Sequence, residues 1–91
     1  MTVGERSALL TRIADLLQRD KAELARIETL DTGKTFGESE IDIDDVTSVF
    51  RFYADLVAVQ ADRLIDVDRP EILSRVVHEP IGVCVMIAPW N

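Results

Sequence analysis

The chain has 91 residues, of which 47% are apolar and 30% charged, a balance that suits a folded globular chain and excludes a disordered one. Its 17 acidic and 10 basic residues leave a net charge of -7, which repels phosphate backbones and offers no basic face to anionic lipid, so nucleic-acid and membrane-surface partners are excluded. No apolar run reaches the length of a membrane span, the polar start from Met1 to Arg6 shows no secretory signal, and Cys84 is the single cysteine, which forbids an internal disulfide and suits a reducing cytoplasm.

From Ala8 to Arg19, the residues Leu9, Leu10, Ile13, Leu16 and Leu17 fall on one stripe of a helix, with Arg12, Asp15, Gln18 and Arg19 toward water. Asp20 followed three residues later by Glu23 has the form of a capping box and predicts a second helix. Leu24, Ile27 and Leu30 would be its apolar face, and Gly33 its stop, because glycine accepts the left-handed conformation that ends helices. The two helices are expected to pack as a hairpin across a very short turn. A third helix is predicted from Glu38 to Gln60, with Val46, Val49, Phe50, Tyr53, Leu56 and Val57 on one side. Glu38, Glu40, Asp42, Asp44 and Asp45 crowd its first turns, where the helix dipole favours negative charge. Without histidine or a fixed ligand geometry, they read as a solvated helix start in preference to a metal site.

After Asp62 the periodicity changes. Leu64 to Val67 and Leu73 to Val77 read as two strands joined by a turn over Asp68-Arg69-Pro70-Glu71, an antiparallel pair. Pro80 biases Glu79 toward an extended backbone and interrupts pairing. Ile81 to Ala88 is then almost unbroken in its apolar character, as in a strand buried on both faces of a parallel sheet. In open α/β sheets ligands bind beyond the carboxyl ends of strands, so a binding loop is expected at Pro89-Trp90-Asn91. The pattern as a whole reads as a piece of a larger enzyme.

Several residues invite a chemical reading. Gly33-Lys34-Thr35 has the ending of a phosphate-binding loop, but Glu28 stands where the first glycine is required and a helix precedes it instead of a strand. A helix cap and a surface turn account for it. Cys84, between Val83 and Val85, reads as a core thiol with no base near it in sequence. His78 has no second ligand at metal-binding spacing. Asn91 is an amide just after a strand end, beside Trp90, where it could donate a hydrogen bond into a crevice and stabilise an oxyanion, or simply be a loop asparagine.

Three separated segments resemble landmarks of the aldehyde dehydrogenase superfamily. They are Glu28-Thr29-Leu30-Asp31-Thr32-Gly33-Lys34, then Phe50-Arg51-Phe52-Tyr53-Ala54, then Glu79-Pro80-Ile81-Gly82-Val83 with Ile87-Ala88-Pro89-Trp90-Asn91. Their order and spacing agree from about Glu5 to Asn91, and Asp42-Ile43-Asp44-Asp45 through Tyr53 most resembles the betaine-aldehyde dehydrogenase branch. Thr35 stands where many members have proline, a mild departure.

The resemblance implies an α/β fold, of which this chain is an N-terminal fragment. Residues 1–61 would be helices of the Rossmann-like cofactor domain, 62–80 an oligomerisation-arm hairpin, and 81–91 a strand and the start of the catalytic loop. It implies oxidation of an aldehyde to a carboxylic acid with NAD or NADP, through a cysteine thiohemiacetal. The family's nucleophilic cysteine, general-base glutamate and cofactor-binding lysine lie beyond the motif that ends at Asn91, and a portion of several tens of residues precedes the matched region. Cys84, upstream of Asn91, is therefore not the nucleophile. By match to the motifs, Asn91 would be the catalytic oxyanion donor, Ile87, Ala88, Pro89 and Trp90 would line the dinucleotide site, and Asp31 would bind a structural monovalent cation. A small-molecule aldehyde, a homodimeric or homotetrameric parent and a cytoplasmic location complete the expectation. The 91 residues alone would be inactive. The alternatives are a truncated, non-catalytic module that binds full-length subunits through strand edges, and a stand-alone helical domain, for which a terminal apolar strand is a poor ending.

Overall fold

The structure, a computed structural model, describes residues 1–59 and 62–87. Three helices are followed by a two-stranded antiparallel sheet, and the chain divides into two compact units, Met1–Gln60 and Ala61–Asn91. No helix among the described residues is long and apolar enough to cross a membrane.

Helix α1 runs over Val3–Arg19, five residues earlier than the apolar stripe alone predicts. Its start is set by Thr2, whose hydroxyl accepts from the Glu5 N–H at 3.2 Å while the Glu5 carboxylate accepts from the Thr2 N–H at 2.6 Å. This reciprocal pair satisfies two backbone donors that a helix start otherwise leaves open. Helix α2 is Lys21–Thr32. Asp20 precedes it, but the expected capping box with Glu23 does not form. The Asp20 carboxylate is taken by the Nε and Nη2 groups of Arg19, at 2.8 and 2.7 Å, and Glu23 pairs with Arg26 instead. Gly33 closes α2 at φ 77°, donating to the Thr29 carbonyl, as the left-handed cap predicts.

Helix α3, Phe36–Val59, is 24 residues or about 36 Å long and serves as the backbone of this unit. The expected α1–α2 hairpin is not formed. The two helices lie one after the other along α3, both antiparallel to it. Ser7 donates to the Ala54 carbonyl at 2.8 Å, Arg51 to Asp15 at 2.9 Å, Lys21 to Asp44 at 2.7 Å, and Thr29 and Ser39 share a hydrogen bond of 3.0 Å. Each helix presents an alanine at full contact: Ala14, Ala25 and Ala54 are buried, and so are Ser39 and Thr47 of α3.

The inward stripe of α3 is Ser39, Ile43, Thr47, Phe50, Ala54 and Val57, at helical spacing. Leu10, Ile13, Leu16 and Leu17 of α1, Leu24 of α2 and Phe50 and Val57 of α3 are half-buried on the anticipated faces, whereas Leu9 and other large residues of those faces turn outward. Val46, Val49, Tyr53 and Leu56 of α3, and Ile27 and Leu30 of α2, are exposed. Small residues win the interface because they let helix backbones approach closely, and bulkier neighbours are then displaced to the flanks of the contact.

In the second unit, β1 (Arg63–Ile65) pairs antiparallel with β2 (Ser74–Val76), in the register Arg63 to Val76, Leu64 to Arg75 and Ile65 to Ser74. The connection holds Asp68 at a φ of 54°. Its N–H donates to the Asp66 carboxylate at 2.9 Å, a local bond by which aspartate stabilises a left-handed turn. Ile81 to Ile87 departs from the sequence expectation. These residues form no strand and are exposed, Val83 fully so. A strand apolar on both faces is stabilised only by neighbouring strands and covering helices, and none is provided to it among the described residues. Ala88, the end of the anticipated strand, lies outside them.

Candidate functional site

The sequence-derived site does not assemble within the described residues. Asn91, Ala88, Pro89 and Trp90 lie outside them. Ile87 is described, exposed and without regular structure. Asp31 lies in the last turn of α2 with its side chain toward solvent. No group of three or more potential metal ligands occurs among the described residues. Cys84 is an exposed free thiol, not the core thiol its apolar neighbours suggested, because the segment that would bury it is unpaired. His78 is exposed beside Asp62, which accepts from the His78 N–H at 3.1 Å and lies 3.5 Å from Nδ1.

What the fold does bring together is a polar latch at the α2–α3 turn, inside the first resemblance segment. The half-buried Lys34 ammonium meets Glu28 at 2.9 Å and also contacts Asp42, so one cation ties the end of α2 to the start of α3. The Lys34 N–H donates to the Thr32 hydroxyl at 3.2 Å, and that hydroxyl donates to the Glu28 carbonyl at 2.8 Å. On the other side, the Thr35 hydroxyl donates to Glu38 at 2.7 Å and the Thr35 N–H to the same carboxylate oxygen at 3.2 Å.

The electrostatics follow from these contacts. Asp42, and then Glu28, hold the Lys34 ammonium above its ordinary pKa. The Thr35 hydroxyl and N–H hold the Glu38 carboxyl below its ordinary range. Asp44 raises Lys21 in the same manner at the α1–α2 corner. The acidic start of α3 is thus engaged through Glu38, Asp42 and Asp44 in capping and ion pairing. Such an arrangement can fix a turn, but it holds no nucleophile and no open ligand position. The parts of the latch were visible in sequence only separately, Glu28 and Lys34 in the first resemblance segment and Glu38 and Asp42 in the acidic start of the third helix. The pairing of Lys34 with Asp42 depends on α2 folding back on α3.

Comparison with known proteins places this helical unit and hairpin in a defined class. The family model described as "Aldehyde dehydrogenase family" matches residues 1–91. The chain belongs to the aldehyde dehydrogenase family. Among its relatives, betaine aldehyde dehydrogenase of Bacillus subtilis is 46% identical over 87 residues, covering 96% of this chain and 18% of the relative. Human mitochondrial aldehyde dehydrogenase is 41% identical over 92 residues, again covering 18% of the relative. A crystal structure of betaine aldehyde dehydrogenase from Staphylococcus aureus in complex with NAD+ superposes with a TM-score of 0.77 at 39% identity, over 82% of this chain and 15% of that one. The chain therefore spans less than a fifth of the length of the curated relatives it matches.

Proposed function

We propose that this chain is the early segment of an NAD- or NADP-dependent aldehyde dehydrogenase, of the betaine-aldehyde type, that oxidises an aldehyde to a carboxylic acid. The observation that carries the reading is the family match over residues 1–91, together with 46% identity to the Bacillus subtilis betaine aldehyde dehydrogenase. In this reading residues 1–61 belong to the cofactor-binding domain, 62–80 to an oligomerisation arm, and 81–91 to a strand and the loop after it. The parent is a cytoplasmic homodimer or homotetramer.

Asn91 donates its side-chain amide to the oxyanion of the tetrahedral intermediate, Ile87 to Trp90 flank the dinucleotide, and Asp31 contributes to a monovalent-cation site. The described residues do not by themselves fit a dinucleotide. No strand among them runs through a glycine-rich loop into a helix, and Ile87 faces solvent. The nucleophilic cysteine and the general base are likewise to be supplied by other parts of the polypeptide.

The test is to read the coding DNA on both sides of this segment and assay the encoded protein. A frame that continues into an aromatic residue and proline, later reaches a Gly-Gln-x-Cys segment, and yields NAD- or NADP-dependent oxidation of betaine aldehyde is the expected result. A stop immediately after Asn91 overturns catalysis by this product. It would leave a non-catalytic module that binds full-length subunits through strand edges, with co-purification with a full-length dehydrogenase as its expected consequence.

A further inference from the structure

We draw no further inference here: the strongest candidate, the exposed apolar stripe of Val49, Phe52, Tyr53, Leu56 and Val59 along α3, carries nothing because nothing in the structure shows what covers it.

Discussion

Ser39 sits at 0% exposure in the first turn of α3, against the end of α2, where its hydroxyl and that of Thr29 satisfy each other at 3.0 Å. A small side chain is needed there to let α2 approach α3, and a polar one is tolerated only because it is paired. Ser39→Ala removes the partner of Thr29 and is expected to destabilise the protein by about 1 kcal/mol. Ser39→Leu overfills the same space and is expected to cost about 1–3 kcal/mol. Urea unfolding checks both as a lowered midpoint at unchanged slope. Equal midpoints for Ser39→Leu and the native chain would show that the contact is loose. Gly33 is the complementary case. A Cβ there would meet nothing within 4 Å, so space is not the restriction, but its φ of 77° is. Gly33→Ala is expected to cost about 1–2 kcal/mol, the penalty of a left-handed backbone for an L side chain. Gly33→Asn should lose less, because asparagine enters that region more readily.

At the level of elements, reciprocal side-chain-to-backbone hydrogen bonds tie Thr2 to Glu5 at the start of α1 and Thr35 to Glu38 at that of α3. Thr2→Ala is expected to lower stability by about 1 kcal/mol, with hydrogen exchange accelerated in the first turn of α1 and not in β1 or β2. Both glutamates are held below their ordinary pKa of 4.5, Glu5 chiefly by the Thr2 N–H and Glu38 chiefly by the Thr35 hydroxyl. A carboxyl lowered in the folded state stabilises above its unfolded pKa and loses that contribution as pH falls through the lowered folded value. The stability difference between the native chain and Glu5→Ala or Glu38→Ala should therefore be full near neutrality and shrink below about pH 4.5. A difference that stays constant from pH 7 to pH 3 would show that these carboxylates do not act through their charge. The same helix starts mark how far sequence reading reaches. The three helices, the Gly33 cap and the antiparallel pair follow from local pattern. Asp20 with Glu23 had the capping spacing, yet Arg19, adjacent in sequence, competes for Asp20 through two hydrogen bonds. The helix faces are legible only in part, for a different reason: Phe50 and Val57 fall inward as the pattern predicts, but Val49 and Tyr53 do not. Hydrophobicity ranks Val49 and Tyr53 above Ser39 and Ala54, whereas close helix contact selects by size. The proposed site was legible only as a family motif, since the role proposed for Asn91 rests on the resemblance and on none of the described residues.

On the scale of the molecule, the interior is thin. The buried apolar side chains among the described residues are three alanines, while Ile81, Val83, Val85, Met86 and Ile87 lie open to solvent. Contiguous exposed apolar surface of this kind ordinarily marks a face that another part of a structure covers, and the apolar character of both faces of Ile81 to Ile87 is that of a central parallel strand. Val83, fully exposed here, distinguishes the two circumstances. In the 91-residue chain by itself, Val83→Asp places a charge in water, so it should change stability by no more than about 0.5 kcal/mol, and it should reduce binding of an apolar dye. In a full-length dehydrogenase carrying this segment, the same substitution would put an unpaired carboxylate inside a sheet. There it is expected to abolish folding or to cost more than about 4 kcal/mol, with loss of soluble protein in place of a selective loss of turnover. Asn91→Ala in the same full-length protein should do the reverse, leaving stability unchanged while kcat falls about 100- to 1000-fold, as for removal of one oxyanion donor. Comparable tolerance of Val83→Asp in the short and the long chain would mean that this segment is never covered, and the strand assignment for residues 81–88 would be wrong.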